Sequence, residues 1–252
     1  MSAPPASSFT FEPLFLGLAV VAAVFYWAAA RRDPPGWRAS LFALGLVLIA
    51  GALNSPLETI SIHYLLLMHL LQNVMIADWA PPLLILGLTP AMRAALARRG
   101  GPVLAWLTQP KIALSVWLVG WYVIHLAAFY DFALRNPWML NIEHALLIGI
   151  GLLFWWPVLA GKPHDVPVPL KIGYLGVAFV GSAFLGLALT FSSSPFYDYY
   201  ESAPRLWGLS AEKDQNFGGI LMNAEQSIVF LVAILYFVLR LIPEEEHTSR
   251  QA

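Results

Sequence analysis

The chain holds 252 residues, of which 59% are hydrophobic and only 12% charged, and its formal net charge is -1. Soluble domains carry about 25% charged residues, so this composition points to a membrane protein, and the near-zero charge offers nothing to nucleic acid or another polyanion. The absence of cysteine excludes disulfides and thiolate metal ligands.

Seven apolar segments follow in chain order, at about residues 12–30, 38–54, 63–88, 112–130, 139–160, 170–191 and 219–242. Each approaches the roughly 20 residues needed to cross about 30 Å of hydrocarbon. Loop chemistry separates them: Arg31-Arg32-Asp33-Pro34-Pro35-Gly36, Asn54-Ser55-Pro56, Arg98-Arg99-Gly100-Gly101-Pro102, Arg135-Asn136-Pro137, Gly161-Lys162-Pro163-His164-Asp165, and a longer polar stretch from Ser192 to Gly218. The expected fold is an all-α integral membrane protein, a seven-transmembrane helix bundle forming a single domain. Phe154-Trp155-Trp156-Pro157 reads as an aromatic belt at one interface. Gly173, Gly176, Gly181, Ser182 and Gly186 in the sixth segment read as helix-packing positions.

Basic residues set the expected orientation. Arg31, Arg32, Arg38, Arg93, Arg98, Arg99, Lys111, Lys162, Lys171, Arg240 and Arg250 fall on one side, and only Arg135, Arg205 and Lys213 on the other. That places the N-terminus outside and the C-terminus in the cytoplasm. The first residues carry no basic cluster, so a cleaved signal peptide is not expected. The tail Glu244-Glu245-Glu246-His247 reads as a solvated end.

With this topology His63, His69, His125 and His144 share the outer membrane face, whereas His164 and His247 lie outside the apolar segments. An imidazole in a bilayer is costly enough to mark a site. His69, Gln72 and Asn73 occupy positions i, i+3 and i+4 of one helix face. His63 lies six residues earlier, about a third of a turn around, and reads as a rim residue. His125 follows Trp121 and Tyr122, an arrangement that also suits a packed interface residue. Glu143-His144 can act as a ligand with its orienting partner, as a proton relay, or as a helix-start pair. Deeper in the third segment, Asp78-Trp79-Ala80-Pro81-Pro82 puts a carboxylate and a kink in the bilayer. The outer loop ends in Asp214-Gln215-Asn216-Phe217-Gly218-Gly219, with Met222 a turn before Glu225 and Gln226.

Three stretches resemble the polytopic CtaG family, assembly factors of caa(3)-type cytochrome c oxidase. They are His69-Leu70-Leu71-Gln72 continuing to Ala80-Pro81-Pro82-Leu83-Leu84; His125 through Tyr130-Asp131-Phe132-Ala133-Leu134; and Glu143-His144 with Phe154-Trp155-Trp156-Pro157, supported by Asp214-Gln215 before Gly218-Gly219. Against the family pattern this chain is divergent. Asn73 stands where a second histidine follows the position of His69, Leu140 where one precedes His144, and Asn223 where an aromatic residue follows Met222.

The resemblance implies an oxidase assembly factor of the bacterial inner (plasma) membrane. It would aid copper delivery or insertion at the extracytoplasmic face, with cytochrome c oxidase subunits and the lipid bilayer as partners. His69, His125, His144, Asp214 and Met222 are the expected copper ligands, supported by Gln72, Asn73, Glu143 and Gln215. Imidazole and thioether donors suit Cu(I). The alternatives are a bis-histidine haem protein, using His69 or His125 with His144, and a metal-free scaffold for oxidase assembly. No nucleophile–base pair or nucleotide loop suggests an enzyme. A carrier reading would use Asp78 and the proline break.

Overall fold

A computed structural model describes residues 3–249, with side chains described from 3 to 242. Arg250 and the side chains of Glu244-Glu245-Glu246-His247 lie outside the described residues. Among those described, every regular element is helical: α1 Pro13–Ala30, α2 Arg38–Leu53, α3 Pro56–His63, α4 Leu66–Val74, a π turn Met75–Trp79, α5 Ala80–Gly87, α6 Pro90–Leu107, α7 Pro110–Ile124, α8 Ala127–Arg135, α9 Pro137–Leu159, α10 Val168–Phe191, α11 Asp198–Glu201 and α12 Ala211–Ser249. By length and composition five stretches can cross a membrane, Pro13–Ala30, Leu66–Gly87, Pro137–Leu159, Val168–Phe191 and Ala211–Ile242. The number rises to as many as seven if α2 with α3, bent by 45°, and α6 with α7, bent by 69°, each form one span.

Proline opens many of these helices, because its missing N–H is one that the first turn leaves unbonded anyway. Pro13, Pro56, Pro90, Pro110 and Pro137 all stand in first turns. Side-chain caps reinforce three of the starts: Ser55 accepts from the Leu57 N–H, Thr89 from Met92, and Asn136 from Trp138 and Met139.

The helix boundaries differ from the sequence expectation in four places. At Asn54-Ser55-Pro56 the chain breaks for only two residues and bends by 45°, and a further helix capped by Ser55 runs to His63. The third segment begins at Leu66 rather than 63, because Asp214 caps the helix there. Arg98-Arg99-Gly100-Gly101-Pro102 lies inside α6, kinked where Gly101 adopts φ 58°. The fourth segment ends at Ile124, and 127–135 is a separate helix, α8.

The core is aromatic. Trp117 stacks on Phe154 at 4.5 Å, Phe154 on Tyr174 at 5.0 Å, and Phe230 closes the cluster against Phe154 at 5.6 Å. Phe154, Trp155 and Trp156 are therefore buried between α7, α9, α10 and α12, not an interfacial belt. Lipid-facing surface comes from residues such as Phe25, Val119, Val180 and Leu231, which remain exposed.

Small residues set the closest approaches. A side chain at Gly219 would meet the Gly186 carbonyl at 2.6 Å, and one at Gly181 would meet Leu118 at 2.9 Å, whereas Gly173 and Gly176 face open space. The packing role expected for α10 thus belongs to its second half.

The two ends of the bundle are tied differently. At the basic end, Arg38 Nη1 donates to the Leu86 carbonyl (2.7 Å), Arg93 Nη1 to Leu159 (2.5 Å), and His164 Nε2 contacts the Ala105 carbonyl (2.6 Å). At the other end the N-terminal arm lies over α3, with Thr59 Oγ1 donating to the Ser8 carbonyl at 2.8 Å and the Tyr64 hydroxyl to Pro4.

Gly151 tests the packing. Its Cβ would sit 2.2 Å from the Ala77 carbonyl of the π turn. Gly151→Ala is expected to lower stability by about 1–3 kcal/mol in a thermal melt of the purified protein. Gly149→Ala, with nothing within 4 Å, should instead stabilise by up to about 1 kcal/mol.

Candidate functional site

His69 lies on α4 and is fully buried. Tyr200, from the four-residue helix α11, reaches down to it. The Tyr200 hydroxyl donates to the Ser61 carbonyl at 2.5 Å and sits 2.8 Å from His69 Nδ1. A hydroxyl has one proton, and the carbonyl can only accept it. The His69 Nδ1–H must therefore donate to Tyr200, which leaves Nε2 bare. That lone pair lies 3.7 Å from Glu143 Oε1 and has no hydrogen-bond partner.

His144, next to Glu143 on α9, is equally buried, and neither of its nitrogens has a partner. Its ring meets His69 edge-on at 6.1 Å and Phe15 of α1 at 5.9 Å. Asn73 completes the group, with Nδ2 3.5 Å from Glu143 Oε1 and Oδ1 unpartnered. His69, Asn73, Glu143 and His144 thus form one buried cluster with several orphaned atoms.

His125 stands apart. Its Nδ1–H donates to the Trp121 carbonyl at 2.7 Å, leaving Nε2 unpartnered. Its ring stacks on Tyr130 at 5.7 Å, and Tyr130 in turn touches His69 at 4.9 Å. The tyrosine ring thus contacts both histidines. Tyr197 covers Tyr130 at 4.5 Å and donates to the His125 carbonyl at 3.0 Å.

Other predicted site residues take structural tasks. Asp214 accepts from Leu66 and Leu67 N–H, both at 2.9 Å, and caps α4 with its two oxygens. Gln215 pins the loop between α10 and α11, accepting from Phe196 N at 2.6 Å and donating to Ser194 at 3.2 Å. Gln72 turns away from the cluster toward α2 and α3, donating to the Ala52 carbonyl (2.9 Å) and the buried Glu58 carboxylate. Met222 is buried in the apolar core. His63 lines a surface cavity of about 300 Å³ with Pro4, Tyr199 and Pro204.

Sequence reasoning missed Glu58, Tyr130, Tyr197 and Tyr200. Glu58 carried a signal, a lone carboxylate in an apolar stretch. The tyrosines carried little, because a polar outer loop gives no hint that two of its rings descend into the core. Asp131 makes that descent possible by accepting from Asp198 N at 3.1 Å and Tyr199 N at 3.2 Å at the start of α11.

Among the described residues, no group of three or more His, Asp or Glu side chains is arranged to hold a metal ion. The pair His69 and His144 is the best donor set. A porphyrin would need a flat slot between two imidazoles, and here Tyr130, Phe15 and the Asn73–Glu143 pair pack around them.

Comparison with known proteins decides the family. The cytochrome c oxidase caa3 assembly factor family matches residues 20–244. The chain belongs to that family. It is also 25% identical, over 235 residues, to an uncharacterized protein of Mycobacterium bovis and one of Mycobacterium tuberculosis. The match covers 83% of this chain but 35% of each relative, so the chain spans about a third of their length. No solved structure matches. In this caa3 assembly-factor family member, Asn73 and Leu140 occupy helix positions one turn from His69 and His144; Asn73 bonds to Glu143, and Leu140 is buried.

Tyr200→Phe is expected to strand the His69 Nδ1–H and cost about 1 kcal/mol of stability. Nitrogen NMR of the His69 ring should then show a mixture of tautomers in place of one. Tyr236→Phe, at an exposed position, should change neither readout.

Proposed function

We propose that this caa3 assembly-factor family member binds Cu(I) as cargo at the extracytoplasmic end of the bundle and passes it to a cytochrome c oxidase subunit during assembly. The observation that carries this reading is His69 itself: Tyr200 holds its Nδ1–H and leaves Nε2 bare beside His144, whose nitrogens are both free. A hydrogen-bonded second nitrogen is the usual arrangement of a metal-ligating imidazole. Two imidazoles are enough for a linear Cu(I) site, so the missing third ligand does not count against it. His69 and His144 would hold the ion, with Asn73 and Glu143 alongside. A weakly supported cargo ion is also easier to hand on.

The proposed topology has seven spans, each bent pair crossing once, in a bacterial inner membrane. The N-terminus lies outside and the C-terminus in the cytoplasm. The basic residues support this orientation, since Arg38, Arg93 and Lys162 gather at the end of the bundle opposite the histidines.

A second reading is a metal-free scaffold for the oxidase. Asn73 and Leu140, standing one helical turn from His69 and His144 where the family resemblance places further histidines, favour it. Competition of the untagged protein against a chromophoric Cu(I) chelator separates the two. His69→Ala and His144→Ala should each weaken Cu(I) binding at least tenfold, with His63→Ala unchanged. Unaltered affinity in folded His69→Ala and His144→Ala proteins would overturn the copper reading. If both variants lose copper yet still restore oxidase activity to a deletion strain, the scaffold reading stands instead.

A further inference from the structure

A second polar group lies deeper in the bundle and takes no part in the histidine cluster. Asp78 sits in the π turn, fully buried, and Glu225 on α12 is 8% exposed. Gln226, 1% exposed, donates through Nε2 to Asp78 Oδ2 at 3.2 Å, and Trp79 Nε1 donates to Glu225 Oε1. Three oxygens remain without partners: Asp78 Oδ1, Glu225 Oε2 and Gln226 Oε1. The π turn itself is a reason to look here, since the extra residue that widens a helix turn recurs at functional sites.

Charge accounting then decides the chemistry. Among the described residues neither carboxylate meets a cationic side chain; the acid–base contacts found are those of neutral His69 with Glu143 and of Arg205 with Asp214. The other titratable groups on the elements packed around the π turn are His69 on α4, Glu143 and His144 on α9, Arg38 on α2, and Glu212, Lys213, Asp214, Tyr236 and Arg240 on α12, with Lys171 and Tyr174 on the adjoining α10. None of them bonds to Asp78 or Glu225, and the aqueous Lys213 and Arg240 lie toward the two ends of α12. Two uncompensated negative charges inside hydrocarbon are prohibitively costly. A positive species must accompany them. Divalent ions take about six or more oxygens, and three free ones fall short. A proton needs only one oxygen to bond and another to accept.

We propose that Asp78, held by Gln226, and Glu225, held by Trp79, form an exchangeable proton-binding site inside the bilayer. The proton comes from water at the bundle surface, through Glu225 as the less buried carboxyl. It forms an O–H bond on one carboxyl oxygen and a hydrogen bond to a neighbouring free oxygen; the single negative charge that remains is met by the Gln226 and Trp79 N–H donors, and the counter-charge stays in the water. This site is independent of copper binding.

Infrared spectroscopy of the full chain in lipid nanodiscs tests it. The spectrum of the wild type minus that of Asp78→Asn/Glu225→Gln should contain a protonated-carboxyl C=O stretch at neutral pH, which shifts on transfer to D2O. The amide substitutions are near-isosteric, and the single variant Glu225→Gln, which should lose or displace the same band, serves if the double variant does not fold. Absence of any protonated-carboxyl band from the difference spectrum would overturn the proposal. So would a band that fails to shift in D2O, which marks a sealed structural proton. Loss of the band when sodium replaces choline in the buffer would assign the site to a metal cation instead.

Discussion

Hydrocarbon offers no hydrogen bonds, so every polar group inside this bundle must find a partner in the protein or remain costly. That constraint sorts the buried polar residues into two kinds. Asp214, Gln215, Asp131 and Tyr197 spend their hydrogen-bonding capacity on backbone groups and hold the outer loops in place. His69, His144, Asn73 and Glu143 do not, and neither do Asp78, Glu225 and Gln226. Atoms left unpaired at such expense are the ones on which the proposed copper and proton sites rest.

Both of these polar clusters are built on the same broken helix, Leu66–Gly87. Its start is set by Asp214, which reaches across from α12 to cap Leu66 and Leu67. Its middle widens into the π turn before Pro81 and Pro82, which lack the N–H groups a regular helix would use. Gly151 of α9 allows the Ala77 carbonyl to approach closely at that point. The cap, the wide turn and the close contact fix where His69 and Asn73 sit at one level and Asp78 at another. Phe15 and Tyr200 then close the outer cluster from α1 and α11.

Much of this was legible from residue order. Apolar runs predicted the helices 13–30, 137–159 and 168–191 to within two residues, since a long hydrophobic stretch has few other uses. The boundaries at Asn54-Ser55-Pro56 and Arg98-Arg99-Gly100-Gly101-Pro102 were less legible, because loop-like residues also serve as helix caps and kinks. His69 and His144, two of the four histidines expected at a common membrane face, meet edge-on at 6.1 Å. Gln72 was grouped with them because helix spacing places it nearby, yet the Glu58 carboxylate and Ala52 carbonyl draw it to α2 and α3. Phe154-Trp155-Trp156 could pass for a belt only until α7, α10 and α12 were seen to pack around it.

Composition and periodicity by themselves determined that the chain is helical, that it belongs in a bilayer, and which histidines stand at a common end. They could do so because hydrophobic length and helical spacing are local properties. The tautomer of His69, the capping of α4 by Asp214, and the meeting of Asp78 with Gln226 were decided only by tertiary structure. Each depends on a contact between residues more than a hundred positions apart. No local pattern encodes which helix end meets which loop.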